Sequence, residues 1–348
     1  MKKYAHIYIL FLTLVFYTAC GRQNKTDLSK ENIRSGTEEV STFHGPNRIV
    51  RIIKQDRRGN IWIASWDGIF RYDGKSFTNV TSKVSSARFF SVLEDRHGNF
   101  WFSSIGSGVY YYDGKSFQNF TTKDGLANNQ VTEIYEDRAG HIWFSTKGGA
   151  SRYDGRSFRS FTTKDGLPSN DVSSIAEDKT GKFWFGTREG AFVYDGNTFT
   201  AFTHEGKPFK NVRTIIEDKK GNIWLGGNDG LWRYDGSTFT NFTQQFVGYV
   251  YEDKSGDIWT SSNSDQAKNS ENGLQSNSNL KSWTLSVYHE KSRFNHTMLP
   301  EIIRANEGMI FGILKADDGS IWFGTLNGAR CVAMAISIYT RKKEGSRK

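Results

Sequence analysis

Cysteine and proline are scarce: two Cys (Cys20 and Cys331) and four Pro in 348 residues. Two cysteines cannot staple a disulfide-built scaffold. So little proline, with no Gly-X-Y period, excludes a collagen-like chain. No apolar run reaches the roughly 20 residues that a membrane-spanning helix needs. Charge of one sign is not concentrated in the body either. The formal net charge is +9, but Lys2, Lys3 and the tail Arg341 to Lys348 supply six of the nine. A nucleic-acid partner would need a clustered basic face, so none is expected. What the chain does have is 35 Gly, 26 Phe, 15 Tyr and 10 Trp. That many aromatics argues against disorder, and together with Gly and Thr they favour pleated sheet.

Met1 to Ala19 reads as an export signal, with Lys2 and Lys3 ahead of an apolar run from Ile7 to Ala19. The run is too short to span a bilayer. It ends in Tyr17-Thr18-Ala19-Cys20-Gly21, which resembles a bacterial lipobox, although Leu is usual where Tyr17 stands. The resemblance implies that Cys20 is lipidated and becomes the mature N-terminus, which would leave Cys331 as a lone thiol. Two or more acyl chains suffice for stable anchoring. Residues 21–40 are polar and aperiodic, as in a flexible tether. The expected location is the bacterial cell envelope, facing the periplasm or on the outer-membrane surface.

Self-comparison exposes seven repeats, marked by Trp62, Trp101, Trp143, Trp184, Trp224, Trp259 and Trp322. Their spacings are 39, 42, 41, 40, 35 and 63 residues, and a Tyr-Asp-Gly triplet follows at Tyr72, Tyr112, Tyr153, Tyr194 and Tyr234. One unit reads as four short strands: Val172–Ala176, Phe183–Thr187, Ala191–Tyr194 and Thr198–Thr203. The Asp-Gly steps suggest type I′ hairpins. The second strand is apolar at consecutive positions, as in Phe183-Trp184-Phe185, so both of its faces must be covered. Radially stacked four-stranded units of this length are propeller blades. The expected fold is all-β, a seven-bladed β-propeller over residues 41–340. Val40-Ser-Thr-Phe-His44 would supply the missing fourth strand of the last blade and close the ring. Residues 262–279 form an insertion in blade six, able to act as a lid or to stay unstructured, and 341–348 form a basic tail. After Gly328 the expected Arg-Tyr-Asp-Gly is replaced by Ala329-Arg-Cys-Val, as a shifted reading frame would produce.

The repeat resembles the two-component regulator propeller family. The residues carrying the likeness are Glu217-Asp218, Gly221, Ile223-Trp224, Gly230 to Gly236 and the linker Asp165 to Asn170. The resemblance implies a periplasmic sensor-like module. No kinase segment follows the blades in this sequence, so signalling would need a separate protein.

A residue present in every blade is structural by default. That applies to the seven Trp and to the Glu-Asp pairs at 94–95, 136–137, 177–178, 217–218 and 252–253, which read as turn formers. Function should lie where blades differ. The candidate ligand-binding residues are Trp66, Asp67, Lys147, Arg188, Glu189, Asn228 and Asp229 in loops between second and third strands, with His204 and Lys210 between blades. An aromatic among mixed charges suits a glycan, a peptide or an envelope protein partner. No catalytic residue, metal ligand or cofactor is assigned, and a monomer is expected. The competing classes are a pure protein–protein scaffold and a metal-dependent lyase of the streptogramin-lyase type. The lyase would need His and Glu on the top face; His97 and His141 fall in turns on the opposite face, and His289, Glu290 and His296 form only a loose group.

Overall fold

The computed structural model describes residues 39–40, 45–264, 282–290 and 299–332. The expected export signal with Cys20, most of the expected tether and of the blade-six insertion, His44, His296 and the basic tail lie outside them. Among the described residues no helix is long and apolar enough to cross a membrane.

The strands assemble into seven antiparallel sheets, each built around four consecutive or ring-closing strands. Blade three shows the pattern: Val131–Glu136, Ile142–Thr146, Gly149–Tyr153 and Phe158–Phe161 pair in sequence order. Blade four gains a fifth, two-residue strand, Lys207–Pro208. The last blade takes Ile313–Lys315, Ile321–Thr325 and Gly328–Val332, and Glu39–Val40 pairs on its outside. The N-terminal segment thus closes the ring, which removes an open sheet edge. The third strand runs to Val332, so the departure from the repeat after Gly328 still builds a strand.

Apolar second strands are covered on both sides because each core lies between neighbouring blades. Trp62 of blade one packs with Phe89 and Phe102 of blade two, and Ile53 and Ile63 of blade one pack with Leu314 and Trp322 of blade seven. The latter contact joins the last blade to the first.

The Glu-Asp pairs divide their labour. Six Asp (56, 95, 137, 178, 218 and 253) turn the first hairpin, and each also accepts the indole N–H of its own blade's Trp at 2.7–3.1 Å. The buried indole is satisfied without a water, as buried donors must be. Blade seven has Ala316 there, and Ser320 Oγ takes the Trp322 indole instead. The Glu reaches the preceding blade: Glu94, Glu136, Glu177, Glu217 and Glu252 accept the backbone N–H of Arg57, Arg96, Arg138, Lys179 and Lys219. Gln55 closes the series by accepting from Asp317. This end of the ring is a belt of inter-blade staples.

The expected type I′ hairpins are not found. Tyr72 pairs with Phe77, so a four-residue loop, Asp73 to Ser76, joins the third and fourth strands. Only Gly74 has positive φ, at 90°, whereas a type I′ turn needs two such residues. Asp73 instead accepts the N–H groups of Lys75 and Ser76 at 2.9 and 2.8 Å, and those bonds hold its carboxyl below the usual range. The glycines opening third strands answer to a different constraint. A Cβ on Gly230 would sit 1.7 Å from the Thr243 carbonyl oxygen.

Cys331 also departs from expectation. It is buried and disulfide-bonded rather than a lone thiol, and its partner lies outside the described residues.

Candidate functional site

In each blade the first strand lines the central channel, and in five blades it is irregular at one position. The register skips a residue between Val50 and Ile52, Phe89 and Ser91, Val131 and Glu133, Val172 and Ser174, and Val247 and Tyr249. A bulge leaves its extra residue out of the ladder and re-aims that side chain. The five skipped residues are Arg51, Phe90, Thr132, Ser173 and Gly248. Blades five and seven place Arg213 and Phe311 equivalently, one residue after buried Val212 and Ile310. All seven line one cavity of about 180 Å3 at the channel mouth, on the face carrying the inter-blade loops. The mouth is therefore a seven-position display on a constant frame, with two arginines, two phenylalanines, two hydroxyls and a glycine.

Arg51 is held in place by stacking. Its guanidinium carbon lies 4.0 Å from the ring centres of both Phe90 and Phe311. Burial and then the like charge of Arg213 lower its pKa to about 9, so it remains cationic at neutral pH. Glu133, from the next layer of the channel, also lines the mouth. Burial pushes its carboxyl up to about 7, against the opposing effects of Ser174, the Ile175 N–H at 3.2 Å and the charge of Lys54. Burial in turn lowers the pKa of Lys54 and, with Glu133 nearby, raises that of Tyr249. Below the mouth the channel widens to a cavity of about 580 Å3, which Lys54, Glu133 and Tyr249 share with Tyr135 and Tyr251.

Of the nine residues singled out from sequence, Lys147 alone lines the mouth, where it is paired with Asp171. The others form the surrounding rim. Trp66 has one ring face covered by the Arg88 guanidinium at 4.7 Å. Asp67 accepts the N–H groups of Asn47 and Arg48 at 3.2 and 3.0 Å, and Asp229 accepts that of Lys210 at 2.5 Å, so both carboxylates tie a turn to the inter-blade loop beside it. Asn228 accepts from the Asn211 side chain at 2.9 Å. Arg188 and Glu189 are exposed, and the His204 ring packs 4.8 Å from Trp232 and 4.7 Å from Phe239 at the outer edge of the rim. Arg51, Phe90, Glu133, Arg213, Tyr249 and Phe311 escaped the sequence reading. The signal was available as variation at the residue after each blade's opening apolar position.

At the opposite end, His289 bridges Asp257 at 3.2 Å and Glu301 at 2.7 Å. Burial lowers its pKa, but the bonds to Glu301 and Asp257 outweigh that and raise it. Among the described residues no three His, Cys, Asp or Glu gather in a metal-holding group.

Comparison with known proteins bears on the frame. The family described as two component regulator propeller matches residues 44–67, 125–148, 166–189 and 206–229. No curated protein matches the sequence. Among solved structures, an extracellular domain described as that of a hybrid two component system from B. thetaiotaomicron superposes with a TM-score of 0.67 at 23% identity. The match covers 85% of this chain and 40% of that one, so this chain spans about two fifths of that domain's length. A catalytically inactive virginiamycin B lyase from Staphylococcus aureus, with quinupristin, gives 0.63 at 16% identity, covering 86% of this chain and 99% of that one. PorZ of the type-IX secretion system of Porphyromonas gingivalis gives 0.58 at 15% identity, covering 84% and 47%. At such identities the superpositions establish the fold alone. The repeat matches fall on blades one, three, four and five, so these blades, with their Asp-bonded Trp, stapling Glu or Gln and loop Asp-Gly, carry two component regulator propeller repeats within a seven-bladed ring.

Proposed function

We propose that this protein is a lipid-anchored, extracytoplasmic recognition module that binds its ligand over the channel mouth and acts as a sensor-like element. One observation carries the reading. The blades repeat their structural residues and vary at the one position per blade that the first strand, bulged in five of them, presents to the mouth, which is how a fixed scaffold presents a specific surface. The rim residues Trp66, Arg188, Glu189 and Asn228 would extend the contact beyond the mouth. The likeness to an extracellular domain of a two component system supports the extracytoplasmic placement. The lipobox-like segment supports anchoring through Cys20, whose sulfur can carry a lipid or a disulfide but not both.

The test is a thermal-shift screen of the purified chain against neutral and acidic oligosaccharides and peptides, with mass spectrometry of the same wells. Ligand at 100 times its dissociation constant adds about 2.7 kcal/mol to stability. A hit that is recovered unchanged, and is lost when Thr132→Trp fills the mouth, supports a binding module. Conversion of the hit would indicate an enzyme. A cooperative melt that no compound shifts would favour a protein partner and the scaffold reading.

A further inference from the structure

Three features of the mouth point to the chemistry of its ligand. The first is unmatched positive charge. Arg51 and Arg213 line the same cavity and are close enough for one to lower the pKa of the other. Among the described residues neither side chain donates a hydrogen bond or joins an ion pair. The cavity's third cation, Lys147, is committed to Asp171. Its one acid, Glu133, takes the Ile175 N–H rather than an arginine.

The second is preorganisation. A guanidinium offers five donors in one plane. Phe90 and Phe311 each lie 4.0 Å from Arg51, and they leave its N–H edge as the part able to form hydrogen bonds. A side chain already immobilised loses little entropy on binding. Planar guanidinium edges match oxyanions with two parallel bonds, which an ammonium cannot do.

The third is the set of neighbours. Thr132, Ser173 and Thr214 bring hydroxyls to the same wall, and Tyr249 lies beyond them. The Thr132 hydroxyl donates to backbone oxygens of Ser145 and Val172, at 3.3 and 3.2 Å, so the arginines remain the principal donors facing the cavity. Two like charges held together in a partly desolvated cavity repel each other, and an entering anion relieves that repulsion.

Resting on the recognition reading above, we infer that the channel mouth is an oxyanion site: Arg51 and Arg213 together bind the carboxylate, sulfate or phosphate group of a small ligand whose remainder lies across the rim. At about 180 Å3 the cavity accepts such a group with a few attached atoms. The clamp Phe90–Arg51–Phe311 sets the orientation of the group, and Arg213 closes on it from the facing side of the ring.

The experiment follows the arginine side-chain N–H signals of ¹⁵N-labelled full chain during titration with sodium acetate, sulfate and phosphate. Sodium chloride holds ionic strength constant and serves as the control. The expected result is a saturable shift of the Arg51 and Arg213 Nε–H signals with at least one oxyanion and no saturation with chloride. Acetate against sulfate and phosphate separates a planar carboxylate site from a tetrahedral one. Arg213→Gln should weaken binding at least tenfold, and Arg51→Gln should do the same. Because Arg51 is part of the packing, Arg213→Gln is the deciding variant should Arg51→Gln fold poorly. Lys75→Gln, in the Asp73 to Ser76 loop at the opposite end of the ring, should leave affinity unchanged. Shifts that track ionic strength alone, or saturation unaltered in Arg213→Gln, overturn the inference. A neutral ligand found in the screen, with no oxyanion binding, would overturn the oxyanion site and leave the recognition reading standing. Oxyanion binding with no hit in the screen would do the reverse.

Discussion

Glu133→Gln isolates the electrostatic cost built into the channel. Burial raises the Glu133 carboxyl from 4.5 to about 7. The folded protein therefore holds this proton more tightly than the unfolded chain does. Between pH 4.5 and 7 the folded state is protonated and the unfolded state is not, so stability falls as pH rises through that window. Below 4.5 both states are protonated, and above 7 both are ionised, so the penalty is constant at either side. The full rise corresponds to a ceiling of about 3 kcal/mol. Glutamine keeps the carbonyl oxygen that accepts the Ile175 N–H and cannot ionise. Chemical denaturation at a series of pH values should show the variant and wild type equal near pH 4. The variant should then gain on wild type up to pH 7 and run parallel above it. Curves parallel across the whole range would show that Glu133 ionises freely, and the buried-carboxyl account would fail.

Three further outcomes follow from the structure. Asp137→Ala removes the acceptor of the Trp143 indole at 2.9 Å and of the His141 N–H at 2.8 Å, so calorimetry should show a loss of about 3 kcal/mol. The loss should be smaller by about 1 kcal/mol when Trp143 is already Phe, and an additive double mutant would deny the bond its role. Gly230→Ala, which drives a Cβ to 1.7 Å from the Thr243 oxygen, should cost several times more than Gly74→Ala, whose Cβ meets nothing within 4 Å. Equal costs would show that φ alone selects these glycines. A lipid on Cys20 would have to open the disulfide of Cys331, the chain's only other cysteine, so intact-mass analysis of protein from bacterial membranes should find acyl chains on Cys20 together with an alkylatable Cys331; an unacylated chain that alkylates only after reduction would show that the disulfide prevails over the lipid.

The architecture was legible because propeller blades must solve the same problem seven times. Trp needs an acceptor for its indole, and the Asp six residues before it recurs with it. The first hairpin turn needs Gly, and the ring needs a carboxylate to reach back to the preceding blade. Each need leaves a periodic mark. The site was less legible because the rim residues were chosen by their place in loops, while the mouth is formed from within the first strands. A bulge there has no composition of its own; it follows from pairing, which the one-dimensional pattern does not contain. Asp67 and Asp229 illustrate the difficulty, since they vary with the neighbouring blades yet serve backbone amides of adjoining loops. The four-residue Asp-Gly loops were mistaken for two-residue turns because both put Gly at positive φ. The disulfide of Cys331 leaves no trace in spacing at all.

The central claim is that recognition occurs at the bulge residues of the mouth. Its most direct test is the affinity of a screened ligand for wild type, for Thr132→Trp and for Asn228→Ala. Thr132→Trp places an indole in the mouth, whereas Asn228→Ala alters an exposed rim residue. Loss of binding in Thr132→Trp, with at most a few-fold change in Asn228→Ala and both variants melting like wild type, is the predicted result. Wild-type affinity in a folded Thr132→Trp protein would contradict it and move the site away from the channel.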